Sequence, residues 1–237
     1  MTDIYYAVEN KLRELMSNHN VGGHGIDHMI AVMEHAKKAV LCEDLPQHTK
    51  EQIILAALLH DADDTKIFPN NKEYENARAI LNETLTEEYL TSLMKDDKYQ
   101  FIEDIIRLIS LVSCSKNGDS DPEHAWMVIP RDCDRLEAIG EIGIQRCDEY
   151  SNATNAPDYI HSTAIVHTEE ELWKVATPER FAKYKKSVSK IDHYYDKLLH
   201  IGKPECLKSK NRYILEEASR RNRIMIRYVL DFWSNMF

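Results

Sequence analysis

The chain is short of the features that mark several large protein classes. Seven glycines and seven prolines among 237 residues are few for an all-β protein. No period-2 alternation is long enough to insist on a sheet, and no internal repeat, heptad array or low-complexity tract is visible. No apolar stretch approaches the about 18 residues of a membrane-spanning helix. The N-terminus, MTDIYYAVENKLRELM, lacks the basic start and unbroken apolar run of a signal peptide. Positive charge is outnumbered, with 30 Lys and Arg against 40 Asp and Glu, and the formal net charge of -10 disfavours unspecific binding to nucleic acid or to an anionic membrane. The five cysteines, Cys42, Cys114, Cys133, Cys147 and Cys206, contain no CxxC pair. Their odd count fits reduced thiols in a cytoplasmic or nuclear compartment better than a disulfide framework.

What is present reads as helices. Residues 2–18 carry Ile4, Val8, Leu12, Leu15 and Met16 at helical spacing, and HNVGGHG then breaks the pattern. Asp27 is placed to cap a helix over about 28–41. From Lys50 to Asp61 the residues are apolar nearly all round, the mark of a helix buried in the middle of a domain. Further helices are predicted at about 72–83, 87–95 and 99–113, and over Ile129–Arg146 after the turn-rich SCSKNGDSDP. Residues 147–177 are polar and irregular except for a Thr168/Glu171 capping box, and read as an insertion or lid. Thr177 and Pro178 open a long helix to about His200, and a last helix covers about 209–236. At this length one core still suffices, so the expected architecture is a single all-α domain over 1–237, with the helices of about 178–236 packed on its core.

His60 and Asp61, together at the end of the buried helix, are the most informative dipeptide, because a buried charge without a partner costs several kcal/mol. A cation is the economical partner. His28 and Asp134, on two other predicted helices, would complete a set of two imidazoles and two carboxylates. Such a set suits one Mn, Fe, Co, Ni or Zn ion better than Ca or Mg, which prefer all-oxygen shells. Asp132 and Asp134 are two apart, so on a helix they point about 200° apart and only one can readily face a shared ion.

The segments GIDHMIAVMEHA, ALLHDADDTK and RDCDRLEAIGEIGI resemble, in order, the first-histidine helix, the central motif and the final aspartate helix of the HD superfamily of metal-dependent phosphohydrolases. KIDHYYDKLL followed by EEASRRNRIM is similar to a subgroup related to nucleotide pyrophosphatases. The resemblance implies an HD-type helical bundle and selects Asp134 through its DRL pattern. The metal ligands it implies are therefore His28, His60, Asp61 and Asp134. Dinuclear relatives add histidines between the HD pair and the last aspartate; His124 alone lies in that interval, which favours one ion, with manganese the first choice.

Asp64 follows Asp61 by three residues and His60 by four, which on a continued helical turn keeps it on the same side, and the resemblance gives it a catalytic role on the attacking water. Lys66 resembles a phosphate-facing lysine of the same subgroup. Arg135, Lys197 and either or both of Arg220 and Arg223 would balance phosphate charge. His193 and Lys197, at i and i+4, read equally well as a structural contact or as substrate contacts. His24 reads as a loop residue, His35 as an ordinary half-buried histidine, and SRRNRIMIR as a packed helix with a solvated face.

The expected function is hydrolysis of (deoxy)nucleoside triphosphates to monophosphate and pyrophosphate. A 5'-nucleotidase and a non-catalytic nucleotide-binding module are the alternatives. The expected partner is a small-molecule nucleotide, with neither membrane nor nucleic acid, and a homodimer is the assembly allowed for.

Overall fold

The computed structural model describes residues 4–17 and 25–236; His24 and most of the glycine-rich turn lie outside them. The chain divides into two compact units, Met1–Asp134 and Arg135–Phe237. All regular structure among the described residues is helical, and no helix is long and apolar enough to cross a membrane.

In the first unit α1 (Ile4–Met16) buries Ile4, Val8, Leu12 and Met16, one face at a spacing of four. Helix α2 (Ile26–Val40) buries Met29, Val32, Met33, Ala36, Ala39 and Val40. Helix α3 (Gln47–Leu59) buries every residue from Gln52 to Leu59, and it can do so because α2 and α6 (Lys98–Ser110) both pack against it. Each leucine enclosed there stabilises the fold by roughly 1.5–3 kcal/mol, and Leu55, which has no exposed surface, is at its centre. Helices α4 (Glu75–Thr84), α5 (Glu87–Ser92) and the short α7 (Cys114–Asn117) complete this part, with Thr86 and Asp97 capping α5 and α6 through their side chains.

Helix α8 (Ile129–Leu136) carries the chain across the division, and α9 (Gly140–Thr154) opens the second unit. One helix over 129–146 was the expectation; the chain instead breaks at 137–139. Gly140 takes a left-handed φ of 74°, and a Cβ there would come within 2.9 Å of the Arg221 side chain, so glycine serves both needs. The region read as irregular from residue 147 remains helical to Thr154, and α10 (Glu169–Val175) starts at Thr168, whose hydroxyl accepts from Glu171 N as the capping box predicts.

The long helix expected over 178–200 is also divided. Helix α11 (Pro178–Ala182) ends after five residues, and Ser189 caps a fresh start at α12 (Lys190–His193), accepting from Asp192 N. A π-helical turn at Tyr194–Leu198 leads into α13 (Leu199–Ile201). The final helix α14 (Arg212–Met236) turns Ile214, Ala218, Met225, Ile226, Val229 and Trp233 inward, and α9, α10 and α13 pack against it.

Candidate metal centre

Helix α3 stops at Leu59, and His60, still in helical conformation with φ -59° and ψ -32°, is its cap. The His60 Nδ1 lies 2.8 Å from Ala57 O. A carbonyl only accepts, so Nδ1 must carry the proton and donate, which leaves the Nε2 lone pair turned the other way. That nitrogen is 3.3 Å from His28 Nε2, brought in by the first turn of α2. Asp61 Oδ2 is 3.5 Å from His60 Nε2 and 3.8 Å from His28 Nε2. Asp134 Oδ1, from α8, is 3.2 Å from His28 Nε2 and 3.7 Å from His60 Nε2. All four side chains belong to the first unit.

The donor atoms fit a divalent ion. Ligands about 2.0–2.2 Å from such an ion, at tetrahedral or right angles to one another, stand roughly 2.8–3.6 Å apart. The separations quoted above run from 3.2 to 3.8 Å, from within that range to slightly beyond its upper end, and His28, His60 and Asp61 form the tightest group. Exposure grades across the group: the His60 side chain is 1% exposed and that of Asp134 30%, so the centre is closed on its imidazole side and open on its carboxylate side. Asp132, two residues before Asp134, is wholly buried, 3.7 Å from the Arg131 guanidinium.

Beyond Asp61 the chain turns rather than continuing the helix, with Ala62 N donating to Leu59 O and Asp64 N to Asp61 O. Asp64 thus follows the centre on a tight turn, and its Oδ1 accepts from Lys66 N at 2.9 Å, which fixes the carboxylate's direction; Lys66 is exposed. Asp63 has a role that the sequence did not announce. Its two oxygens accept from Asn76 N at 2.9 Å and Ala77 N at 3.0 Å, capping the first turn of α4, whose preceding residue Tyr74 is left-handed and gives no side-chain cap. Asn76 Nδ2 returns a bond to Ala62 O at 2.8 Å. The segment after the HD pair is therefore stitched to a helix twelve residues away, a pairing with no local sequence signal. Asp27, expected as a helix cap, instead lies within the first turn of α2, where Gly25 is the cap without a side-chain bond.

The remaining sequence-predicted residues belong to the second unit. Arg135 is 2% exposed and its Nη1 donates to Cys206 O at 3.2 Å. His193 Nδ1 sits 3.3 Å from Ser187 Oγ and 3.5 Å from Tyr184 OH. Burial first, and then the Lys197 charge, push the His193 imidazole down to about 4. Lys197 Nζ stands 5.9 Å from the centre of the Tyr184 ring. Arg220 and Arg223 are exposed on α14, and Arg220 makes hydrogen bonds of 2.8 and 3.0 Å to Glu217. Among the described histidines outside the centre, His124 is exposed beside Trp126 and His35 is buried.

A family model described as HD domain matches residues 25–153. An uncharacterized protein of Acanthamoeba polyphaga mimivirus is 52% identical over 234 residues, covering 97% of this chain and 96% of its own. Among solved structures, a Lactobacillus plantarum protein aligns over 100% of this chain and 98% of its own, with TM-score 0.63 and 22% identity. An HD-superfamily hydrolase from Bacillus thuringiensis covers 98% of this chain and 96% of its own, with TM-score 0.64 and 19% identity. Bacillus subtilis YpgQ, solved in complex with ADP, covers 96% of this chain and 97% of its own, with TM-score 0.60 and 17% identity. At these identities the structures show a shared fold.

Proposed function

This chain belongs to the HD domain family, whose members bind divalent metals, and we propose that it is a metal-dependent phosphohydrolase of nucleotides. The best-supported reaction is cleavage of a (deoxy)nucleoside triphosphate to monophosphate and pyrophosphate. The observation that carries the reading is the meeting of His28, His60, Asp61 and Asp134 at donor separations suited to one small ion. A fold neighbour solved with ADP supports a nucleotide as the ligand class. Manganese is the ion proposed, since mixed imidazole and carboxylate sets suit it and its neighbours in the series.

A divalent ion held there supplies Lewis acidity, polarising a phosphoryl oxygen and acidifying water. The chain's own groups do the rest. His60 keeps its lone pair on the site side because Ala57 O holds its other proton. Asp64, whose Oδ1 is held by Lys66 N, is the group assigned by the family resemblance to take a proton from the attacking water, and the exposed Lys66 ammonium would offset charge on the phosphates. The metal-binding and proton-transfer roles rest on residues of the first unit alone.

A nucleotide panel assayed with Mn, Co, Ni and Mg, with phosphate and pyrophosphate separated, tests it. Pyrophosphate from triphosphates is the expected product. Orthophosphate from monophosphates would convert the reading to a 5'-nucleotidase, and no turnover of any nucleotide would leave a binding module. Asp64→Asn should lower kcat by about 100-fold or more, the span of general acid–base catalysis, while bound metal per chain stays as in wild type.

A further inference from the structure

Asp61 at the metal centre and Asp64, the group assigned to the attacking water, are separated by Ala62 and Asp63, and both of these are fastened to α4. Ala62 is wholly buried, and its carbonyl accepts from Asn76 Nδ2 at 2.8 Å. Asp63 accepts from Asn76 N at 2.9 Å, Ala77 N at 3.0 Å and Asn71 Nδ2 at 3.3 Å. We propose that Asn76 and Asp63 are positioning residues that fix Asp64 relative to the metal ligand Asp61, with α4 as the brace of the centre. The proposal rests on the metal-dependent phosphohydrolase reading above.

Bond direction is the first argument. A helix needs outside partners for its first N–H groups, and the Asp63 carboxylate meets those of Asn76 and Ala77 because Tyr74, left-handed at φ 59°, gives no side-chain cap. The Asn76 Nδ2 bond runs the other way. It adds nothing to the end of α4 and serves a buried carbonyl beyond the end of α3. Asn76 therefore ties the turn at two points, where a cap alone needs one.

Backbone geometry is the second. A peptide unit is planar, so holding Ala62 O orients the plane between Ala62 and Asp63, and holding the Asp63 carboxylate restrains its Cα–Cβ direction. Little freedom is left between Asp61 and Asp64, and Asp64 N also donates to Asp61 O at 3.1 Å. Support is the third. Helix α4 buries Ala77, Ile80 and Leu81 and packs on α1 and α6, and α6 packs on α3, whose cap is His60. Both ends of the segment from His60 to Asp64 are thus referred to one packed group of helices. A proton acceptor needs such a reference, since a misplacement of about 1 Å can cost about 100-fold in rate.

The test uses the full chain with Mn as the probe. Asn76→Ala should weaken Mn binding about tenfold, the lower end for partners that hold a metal ligand in place, read from the EPR signal of the free ion. At saturating Mn its kcat should fall about tenfold or more, with KM changed by less than about twofold. By reciprocity, Mn should slow hydrogen exchange at Asn76 and Ala77 of wild type, resolved by mass spectrometry, by about the factor that Asn76→Ala costs in affinity. Thr86→Ala removes the cap of α5 in the same unit and should leave Mn affinity at the wild-type value. The proposal is overturned if Asn76→Ala keeps wild-type Mn affinity or kcat, if Mn leaves exchange at Asn76 and Ala77 unchanged, or if Thr86→Ala weakens Mn binding as much. The exchange measurement needs no variant, so it decides the matter even where Asn76→Ala fails to fold. A wild type that binds Mn yet hydrolyses no nucleotide sinks the phosphohydrolase reading and leaves the brace to be judged on Mn affinity and exchange.

Discussion

Each unit of the molecule holds a pair of aspartates close to nitrogen donors, and the two pairs are built for opposite purposes. In the second unit Asp192 and Asp196 converge on Arg180, at 2.6 Å from its Nη2 and 2.5 Å from its Nε. Their other oxygens accept from hydroxyls, Asp192 from Thr163 and Ser189 at 2.7 Å each and Asp196 from Ser187 at 2.7 Å. A guanidinium brings a permanent charge and a fixed fork of protons, so this cluster is satisfied from within and clamps residues 163–196 together. In the first unit Asp61 and Asp134 face imidazole nitrogens, and the His60 proton is committed to Ala57 O. A His60 lone pair turned toward two carboxylates and a second imidazole makes a ligand set for a cation. What separates a clamp from a centre is therefore the direction of the protons beside the acids, more than the acids themselves.

That contrast can be broken experimentally, beginning with its largest consequence. His60→Ala should weaken Mn affinity by more than about 100-fold and bring turnover to background, read by metal content after dialysis. The same variant should lose the stabilisation that wild type gains from metal, about 2.7 kcal/mol at a hundred times the Kd, in thermal unfolding with and without chelator. Arg180→Met should cost about 3–5 kcal/mol in denaturant unfolding, because it strands Asp192 and Asp196, while metal per folded chain stays at the wild-type level. Metal loss in that variant would erase the distinction between the clusters.

A smaller effect concerns His193, beside Ser187, Asp196 and Lys197 at the clamp's edge. Its folded value of about 4 lies below the ordinary 6.5, so the unfolded chain takes up a proton that the folded chain refuses. Stability should therefore fall as pH drops from about 6.5 to 4, by roughly 3 kcal/mol at most, and His193→Asn should flatten that slope. Smallest is Asp63→Ala, expected to cost about 1 kcal/mol through loss of the α4 cap, measured as a shift in the denaturant midpoint.

The all-helical class and the buried character of α3 were legible because both are written in local periodicity: a run apolar on every side from Ile53 to Leu59 has to be enclosed. Helix interruptions were less so. Nothing in KYKKSVSK forbids a helix, yet Ser189 starts a new one, and the break at 137–139 is followed by a left-handed Gly140 with the Arg221 side chain lying against it. The Asp63 cap was invisible for the same reason, since its partners are Asn76 and Ala77 and only the folded turn brings them near. Asp64 was expected on a continued helix and instead sits on a turn, because α3 ends at Leu59.

By itself the sequence determined residue chemistry and its order: the HD pair at the end of a buried helix, His28 before it and Asp134 after it, at spacings that resemble a family of metal-dependent enzymes. The helix placements follow from periodicity, which is local, and the choice of Asp134 from the resemblance. Only the tertiary structure decided that the His60 proton goes to Ala57 O, and that Asp134 Oδ1 stands 3.2 Å from His28 Nε2 while Asp132 is wholly buried, 3.7 Å from the Arg131 guanidinium. These depend on where separate helices end relative to one another, and hydrogen-bond direction exists only once those ends have met.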